Sequence, residues 1–520
     1  MLSKIYFSFI VVSLLILSTV SLILSSVAIE EEKNKNDWIS VNHDIYGTRN
    51  SNQTIIGKDN VDKLEIKWSL LNDFEIQDPP IIIGDEGYVQ DYAGNILAFD
   101  TRTGHIIWKV STGGGPTMGL VYGSRIIYAS TASNASIVAV NATDGKMIWE
   151  SQMLGDPKVG YSIDAPPIIW KDYVIAGSGG SGLPPGLGLV KGNITALNST
   201  DNGKIIWNLQ TTTGEWVKPG KTPPNGGATA WYGGATAWSG GSLDPETGIV
   251  YIPLGSASPN FNATTRHTPN LYSNHMIAIN VTNGKIVWAT PFIAHGTVLD
   301  VQVPDTHDWD TSWGSSVTKV TLENGTEKKV VIGHDKMGNV MAMDAATGKE
   351  IWWKTLGKQY RTDVVPMPNG SGMIWSYGIY NYHAVDNDTL YITATNRGLN
   401  FFTDEISGHK IATPNSIEQG LVNGTIMALD LMTGKIKWQL HTDFPPRVSP
   451  LVTDDVVFTG YIPFAKKTKL GLIMALDKKT GEKLWEYTMN APIAPVGPSI
   501  GVECFLYQLV KFRVCQKKRM

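Results

Sequence analysis

Side chains that could carry chemistry are concentrated between residues 226 and 338 of this 520-residue chain. The sequence Gly-Gly-Ala-Thr-Ala-Trp occurs there twice in succession, ending at Trp231 and at Trp238. Thr306-His-Asp-Trp-Asp310 and His334-Asp-Lys-Met-Gly338 follow. An indole offers a broad flat surface, a carboxylate can accept a proton, and an ammonium group can stabilise developing negative charge. We therefore expect the functional site to be built from these segments.

The rest of the chain is organised by one repeated motif. It reads Ala-x-(Asp/Asn), a turn, Gly, three residues and Trp, and the third copy has one extra residue before its Gly. The seven copies span residues 98–108, 139–149, 196–207, 278–288, 342–352, 428–438 and 475–485. A motif that recurs this often in a fixed phase is typical of a solenoid or a propeller.

Each copy predicts a β-hairpin. The Asp or Asn can accept hydrogen bonds from the turn amides, and the Gly can adopt the positive φ that other residues avoid. One Trp per copy, in register, predicts a side-chain contact that joins neighbouring units; we call this contact a rivet. The intervals between copies hold four strands each, so we predict an all-β protein, an eight-bladed β-propeller of four-stranded antiparallel blades, with seven blades as the alternative.

The two ends of the propeller, taken as residues 38–500, are expected to meet. The strand-like stretch 61–70 has no repeat copy of its own, and it can complete an eighth blade with the segment after Trp485. In the tail 501–520 the repeat pattern stops, and both cysteines, Cys504 and Cys515, appear. We hypothesise that this tail is frame-shifted, which would leave the last blade incomplete; the alternative is a genuine, divergent closing strand.

The N-terminus predicts export. Residues 1–28 contain a long apolar run with a small-residue cleavage site, so they are either a cleaved signal peptide or a retained membrane anchor, and 29–37 form a linker. Eleven Asn-x-Ser/Thr sequons agree with an exported domain, extracellular or membrane-anchored and facing outside.

Composition excludes two classes of function. With 43 basic and 47 acidic residues the net charge is −4, and nothing indicates a nucleic-acid partner. No Cys-x-x-Cys-His sequence occurs, which excludes a covalently attached haem. A redox protein of this kind would pass its electrons to a separate acceptor.

The repeat and the segments between its third and fifth copies resemble the PQQ-dependent alcohol dehydrogenases, eight-bladed quinoproteins whose blades are joined by a tryptophan docking motif. In this resemblance Trp238 corresponds to the tryptophan on which the planar quinone stacks. Lys336 corresponds to the basic residue that contacts the quinone carbonyl oxygens. The catalytic aspartate corresponds to Asp310 or to Asp308, because the segment is one residue shorter than in the family.

The resemblance has two departures at the family's metal site. Ser256 occupies the position of the metal-binding Asn, and the expected Glu is missing from the Gly-rich stretch 177–192. That stretch is a loop, either an exposed turn or part of the mouth of the ring. Calcium takes about six to eight oxygen ligands. The resemblance therefore leaves Ser256, Asp310 and the quinone to hold calcium or another metal ion.

The sequence is consistent with two candidate functions. The first is an exported quinoprotein dehydrogenase that oxidises an alcohol or a related small substrate. The second is a non-catalytic propeller that serves as a binding or assembly scaffold, since non-catalytic propellers share the repeat. Trp238, Lys336 and the aspartates favour the first, whereas Ser256 and the missing Glu favour the second.

Overall fold

The computed structural model of the chain is built almost wholly from β-strands. It describes residues 37–518 apart from residues 52, 75, 77, 115–118, 160, 180–191, 212–234, 256–271, 293–310, 312, 323, 357–364, 367–371, 404–409, 414–422, 462–470, 490–496, 502–504 and 509–511. Short 3-10 helices lie at Val61–Lys63 and Pro157–Val159. No helix within the described ranges is long and apolar enough to span a membrane. The predicted signal peptide or anchor, residues 1–28, lies outside those ranges.

The strands fall into nine groups along the chain, and the first and last groups join in one sheet. They are β1 (Leu64–Leu71); β2 (Ile81–Ile83), β3 (Glu86–Gln90), β4 (Asn95–Asp100), β5 (Ile106–Ser111); β6 (Leu120–Gly123), β7 (Ile126–Thr131), β8 (Ser136–Asn141), β9 (Met147–Glu150); β10 (Ile168–Trp170), β11 (Tyr173–Gly177), β12 (Asn193–Asn198), β13 (Lys204–Gln210); β14 (Ser242–Asp244), β15 (Ile249–Pro253), β16 (His275–Asn280), β17 (Ile286–Pro291); β18 (Ser316–Thr321), β19 (Glu327–His334), β20 (Asn339–Asp344), β21 (Glu350–Thr355); β22 (Val365–Pro366), β23 (Gly372–Gly378), β24 (Ala384–Asp386), β25 (Thr389–Thr403), β26 (Lys410–Thr413), β27 (Gly424–Asp430), β28 (Ile436–Thr442); β29 (Val448–Val452), β30 (Val456–Tyr461), β31 (Leu472–Asp477), β32 (Lys483–Thr488); and β33 (Ser499–Ile500), β34 (Phe505–Gln508), β35 (Phe512–Lys518).

These strands pair antiparallel into eight sheets, so the predicted eight-bladed propeller is confirmed. Blades 1 to 5 are β2–β5, β6–β9, β10–β13, β14–β17 and β18–β21, blade 6 is β22–β28, and blade 7 is β29–β32. Blade 6 has seven strands because β22, β23 and β26 pair with one another or with the long strand β25. Strands β33, β2, β6 and β10 contact one another in this order, as do β14, β18, β24 and β29, which places them around a central axis.

Blade 8 joins the two ends of the chain. Its strand order is β1-β35-β34-β33, and β1 pairs with β35 from Leu64↔Lys518 to Leu71↔Phe512. The prediction that the stretch 61–70 completes an eighth blade is therefore confirmed. The sheet has four strands, so the expected incompleteness of the last blade is not observed. Whether the tail 501–520 arises from a frame shift stays a prediction.

The repeated turn has the predicted chemistry. In the first copy Asp100 Oδ1 accepts the backbone N–H of Thr103 at 2.8 Å, and Gly104 has φ +74°. In the second copy Asn141 Oδ1 accepts the N–H of Thr143 at 2.8 Å. Because a short polar side chain and a glycine define this turn locally, the motif could be recognised from sequence.

The repeat tryptophans connect each blade to the next. Each donates its indole N–H to the backbone oxygen of the residue after the next blade's Asp or Asn, and each ring covers that blade's turn glycine. The pairs are Trp108 with Ala142, Trp149 with Ser199, Trp207 with Val281, Trp288 with Ala345, Trp352 with Leu431 and Trp438 with Lys478. The rivet prediction is thus confirmed for six of the seven copies. Trp68 of β1 makes the same contact with Thr101, whereas Trp485 packs against the apolar cluster shared with Val61 and Ile500.

An N-terminal segment, residues 38–51, runs around the axis along the first strands; we call it the strap. It makes backbone hydrogen bonds with blades 1, 2, 4, 5, 6 and 7. Arg49 is fully buried in the strap and donates to the backbone oxygens of Val41, Pro450 and Pro498, the last of which reaches blade 8. The strap therefore fills the centre of the ring below the site.

Candidate functional site

Trp238 and Lys336, far apart in sequence, meet at one end of the propeller. Trp238 precedes the first strand of blade 4, and Lys336 lies in the turn after the second strand of blade 5. In an antiparallel sheet the start of one strand and the end of the next lie at the same edge. The Lys336 ammonium nitrogen is 5.0 Å from the centroid of the Trp238 ring. The sequence expectation that these two side chains share a site agrees with this distance, while their roles stay predictions.

The turn that carries Lys336 is held rigidly by Asp335. Asp335 is fully buried, and its Oδ1 accepts the N–H groups of Met337 and Asn339 at 2.9 Å each. Its Oδ2 accepts the Asn339 side-chain amide at 2.7 Å. Gly378 packs so closely against the Lys336 carbonyl that a Cβ there would lie 1.6 Å from the oxygen. The backbone of Lys336 is therefore fixed, and the side chain is aimed from a rigid base.

Two aromatic residues to which the sequence reasoning assigned no role, Trp313 and Tyr382, pack beside Trp238. The Trp313 ring meets the Trp238 ring edge to face, with centroids 5.5 Å apart and planes at 82°. Tyr382 meets the other side of Trp313 in the same way at 5.8 Å. Trp313 is only 8% exposed and has φ +64°, a left-handed conformation that costs a residue with a side chain about 1–2 kcal/mol. Strain of this kind is retained where the surroundings require one geometry.

Several buried polar atoms at this end of the propeller have no hydrogen-bond partner among the described residues. They belong to segments that precede a first or third strand and so lie at the same edge as Trp238. They are both amide atoms of Asn274, Thr311 Oγ1, Trp313 Nε1 and the Tyr382 hydroxyl. A buried polar group without a partner costs about 1–3 kcal/mol, so these atoms suit a polar ligand or water.

The charges around the site favour an anion. Lys336 lies over Trp238, and Arg447, which precedes blade 7, lies over the Tyr380 ring at 5.6 Å. Burial lowers the pKa of His383 to about 3, so this imidazole is neutral at pH 7. Burial raises the pKa of Asp78 well above its usual range, which favours a neutral carboxyl group. His383 and Asp78 therefore add little charge at the site, and the buried Asp335 carboxylate next to Lys336 accepts hydrogen bonds within its own turn.

His334 and His383 form a buried imidazole pair beneath the Lys336 turn. Their ring centroids are 5.1 Å apart, and the Ser316 hydroxyl joins His383 Nε2 at 2.7 Å to the Gly47 carbonyl of the strap at 2.6 Å. Burial and then the neighbouring His383 lower the pKa of His334 well below its usual value. The pair therefore packs as neutral rings between blades 5 and 6 and supports the floor of the site.

The predicted catalytic and metal-binding residues lie outside the described residues. This applies to Asp308, Asp310 and Ser256, and to residues 180–191 of the Gly-rich stretch. Within the described part of the chain no group of three or more His, Cys, Asp or Glu side chains could hold a metal ion. The roles predicted for these residues therefore stay predictions.

Comparison with known proteins connects this architecture to redox enzymes. Residues 151–355 match the family model described as glucose/ethanol/alcohol dehydrogenase, beta-propeller domain. Residues 375–502 match the model of outer membrane protein assembly factor BamB. The europium-containing methanol dehydrogenase structure superposes with a TM-score of 0.73 at 18% identity, covering 94% of this chain and 99% of that one. BamB from Moraxella catarrhalis superposes with a TM-score of 0.51 at 14% identity, covering 87% of this chain and 99% of that one. Both structural likenesses show the fold alone.

Sequence relatives extend the match to nearly the whole chain. The quinohemoprotein alcohol dehydrogenase ADH IIB of Pseudomonas putida is 24% identical over 519 residues, covering 88% of this chain and 70% of its own length. The quinoprotein alcohol dehydrogenase PedH of Pseudomonas putida is 26% identical over 540 residues, covering 89% of this chain and 84% of its own length. Over nearly its whole length the chain is therefore similar to quinoprotein alcohol dehydrogenases, and residues 151–355 match the alcohol dehydrogenase propeller model.

Proposed function

We propose that the protein is a quinoprotein dehydrogenase that oxidises an alcohol or a related small substrate with PQQ as the electron acceptor. The observation that carries the proposal is the position of the Lys336 ammonium group 5.0 Å above the Trp238 ring. A planar group stacked about 3.5 Å above an indole brings its edge within reach of a cation at that distance. The two side chains thus provide a flat platform and a cation at its border.

The residues present fit a planar, polyanionic quinone. Trp238 is half-buried, so one face of its ring can remain available while Trp313 packs against its edge. Lys336 and Arg447 supply positive charge, and the unpartnered polar atoms of Asn274, Thr311 and Tyr382 can accept or donate hydrogen bonds. PQQ, when bound, would supply an ortho-quinone that can accept one hydride, equivalent to two electrons and a proton, from the substrate.

The chain's own residues would then orient the quinone, stabilise its charge and accept the substrate proton. Trp238 orients the ring system, and Trp313 with Tyr382 keeps that platform from tilting. Lys336 stabilises negative charge that develops on the quinone oxygens during reduction, because a fixed cation in a poorly hydrated site interacts strongly. Asp310, or Asp308, accepts the hydroxyl proton of the substrate. Ser256 and Asp310 are the proposed protein ligands of calcium or another metal ion.

The proposed location and electron route follow from the same family. We propose that the protein is exported and acts outside the cytoplasm, either released after cleavage near residue 28 or held by the N-terminal segment. With no covalent haem motif in the sequence, its electrons pass to a separate acceptor. N-terminal sequencing of the protein purified from its own cells distinguishes release from retention.

A second candidate function is a non-catalytic assembly or binding scaffold. The match of residues 375–502 to the BamB model favours it, as does Ser256 at the position of the family's metal-binding Asn. The two functions differ in whether the Trp238 platform takes up a quinone.

Reconstitution separates them. The purified full-length chain is incubated with PQQ, with and without calcium, and quinone binding is followed by quenching of tryptophan fluorescence before a dye-linked alcohol assay. We expect saturable binding, dye reduction with a primary alcohol, and loss of both in Trp238→Ala and Lys336→Met. Lys171→Met is the matched control, since Lys171 lies 4.1 Å over Trp170 in the same type of contact at the opposite edge of blade 3. Absence of quinone binding in the unaltered protein would favour the scaffold function.

A further inference from the structure

A cavity of about 220 Å³ lies between the strap and blade 3, and Gly240 and Gly241 form part of its wall. Its walls are mainly aliphatic, formed by the strap, by β6 and β10 and by the segment before β10. The floor residues Val41, Asn42 and Val121 are buried, whereas rim residues such as Ile39 and Ile169 are half-exposed. The cavity is therefore open to solvent at one side and apolar inside.

The cavity occurs where the strap leaves the blades. In six blades the strand nearest the axis donates one backbone N–H to a strap carbonyl. These pairs are Ile82 to Trp38, Tyr122 to Ile39, Leu243 to Ile45, Val317 to Tyr46, Val385 to Thr48 and Val452 to Arg49. Between Ile39 and Ile45 the strap instead makes a tight turn in which His43 has φ +76° and donates its N–H to Ser40 O. Because of this turn, the strap makes no backbone hydrogen bond with β10 of blade 3 among the described residues.

Ile169 is the residue of blade 3 that corresponds to those six donors. It pairs with Val174 in the middle of the β10–β11 hairpin, as Tyr122 pairs with Ile127 in blade 2. In that register the N–H and C=O of the middle residue point away from the neighbouring strand and toward the axis. Neither group of Ile169 has a partner among the described residues. The edge of β10 therefore offers a donor and an acceptor side by side in the cavity wall.

The other polar groups of the cavity define the charge of a ligand. Asn42 Oδ1 is shielded from solvent and has no hydrogen-bond partner among the described residues. Asp44 is a wall carboxylate that accepts the Thr48 N–H at 3.0 Å, and none of the described wall residues is Lys or Arg. A carboxylate without a wall cation disfavours anions. The aliphatic walls disfavour strongly hydrated cations.

We propose that this cavity is a binding site for a neutral aliphatic alcohol, separate from the site at Trp238 and Lys336. A hydroxyl group both accepts and donates, so it can pair with the N–H and C=O of Ile169. The alkyl chain lies against Val41 and Val121. A cavity of about 150 Å³ accommodates benzene, so this one suits about seven to nine non-hydrogen atoms. The inference does not depend on quinone binding, because the backbone of Ile169 and the side chain of Val121 take no part in the proposed quinone site, although Val41 packs in one apolar cluster with Trp313 and Tyr382.

The test uses 1-hexanol as the probe and the full-length protein without added quinone. Isoleucine-methyl NMR follows the titration, with the Ile169 methyl groups as local reporters and hexanoate as the anionic counterpart of the same chain length. We expect saturable shifts of the Ile169 methyl signals with 1-hexanol. Hexanoate should bind at least about tenfold more weakly, a difference of about 1.4 kcal/mol.

The second part of the test uses Gly123→Val, a substitution that fills the mouth of the cavity. A Cβ at Gly123 would lie 3.5 Å from the nearest Ile169 carbon, an ordinary contact, so the strand should tolerate the change while the added methyl groups occupy the space. Ile83→Val is the control at the corresponding end of the first strand of blade 1. We expect binding to weaken at least about tenfold in Gly123→Val only. Absent or non-saturating shifts of the Ile169 signals in the unaltered protein would overturn the proposal, and this result does not depend on whether Gly123→Val folds. Equal affinity of Gly123→Val and Ile83→Val for 1-hexanol would also overturn it.

Discussion

Replacement of Trp288 by Ala tests whether the indole contacts between blades stabilise the propeller against unfolding. Trp288 joins blade 4 to blade 5, is 8% exposed, and donates to the Ala345 oxygen at 2.9 Å. Its ring lies beside Tyr251, with centroids 5.8 Å apart, and covers Gly348. The substitution therefore removes apolar contact on two blades and one interblade hydrogen bond.

The size of the effect follows from the buried area. A buried tryptophan removes about 150–250 Å² from water, which at about 25 cal/mol per Å² corresponds to about 4–6 kcal/mol as an upper estimate. Tyr251 also donates its hydroxyl to the Ala345 oxygen, at 3.2 Å, so that carbonyl keeps a partner and the lost hydrogen bond adds only about 1 kcal/mol. We expect a loss of about 3–5 kcal/mol, the usual range for Trp→Ala in a core.

Urea unfolding followed by far-UV circular dichroism measures the change. Val287→Ala is the matched control, because Val287 neighbours Trp288 on β17 but is 49% exposed, and it should cost less than about 1 kcal/mol. Trp288→Phe should fall between the two, since it keeps most of the ring contact and loses the N–H. A loss below about 1 kcal/mol in Trp288→Ala would refute the rivet interpretation.

Three further predictions follow from other contacts. Gly348→Ala should destabilise the protein by about 2–5 kcal/mol, because φ is +68° and the Cβ would lie 2.5 Å from the indole above it. Gly325→Ala, at φ +78° with open space around it, should cost only about 1–2 kcal/mol, and equal losses in thermal or urea unfolding would contradict the packing argument. Folding lowers the pKa of His383 from 6.5 to about 3. Between these two values the unfolded state binds more protons than the folded state, so the contribution of His383 to the free energy of unfolding is fully present only above about pH 6.5. Stability should therefore fall with acidification by at most about 1.4 kcal/mol per pH unit for this group, and urea midpoints between pH 7 and pH 4 should depend less on pH in His383→Gln. Trp313→Leu should weaken PQQ binding about three- to tenfold, the value of one aromatic contact, while circular dichroism stays unchanged; an unaltered quinone titration would remove Trp313 from its positioning role.

The elements that the sequence predicted well are those defined by neighbours in the chain. Asp100 and Gly104 specify their turn within five residues, and Trp108 follows at a fixed distance, so the hairpin and its repetition are visible without a structure. The joining of the two chain ends in an eighth blade was also predictable, because the stretch 61–70 has no repeat copy of its own, whereas the closing strand β35 lies in the tail that was expected to leave this blade incomplete.

The elements that the sequence did not reveal depend on distant partners. Arg49 binds carbonyls of Pro450 and Pro498, and nothing near Arg49 in sequence indicates them. Trp313 belongs to no repeat, so its place beside Trp238 follows only from the way blades 4 and 5 meet. The three extra strands of blade 6 are likewise insertions without a repeated pattern.

The closure of the ring by both ends of the chain has a consequence for how the protein is made. Strand β1 cannot acquire its partner β35 until residue 518 has been synthesised, and Arg49 cannot bind Pro498 before then. At a synthesis rate of about 5–20 residues per second, the N-terminal strand waits on the order of tens of seconds for its partner. During that interval β1 presents an open edge that other chains can pair with. Cells that produce this protein therefore benefit from holdase chaperones or from folding after synthesis is complete.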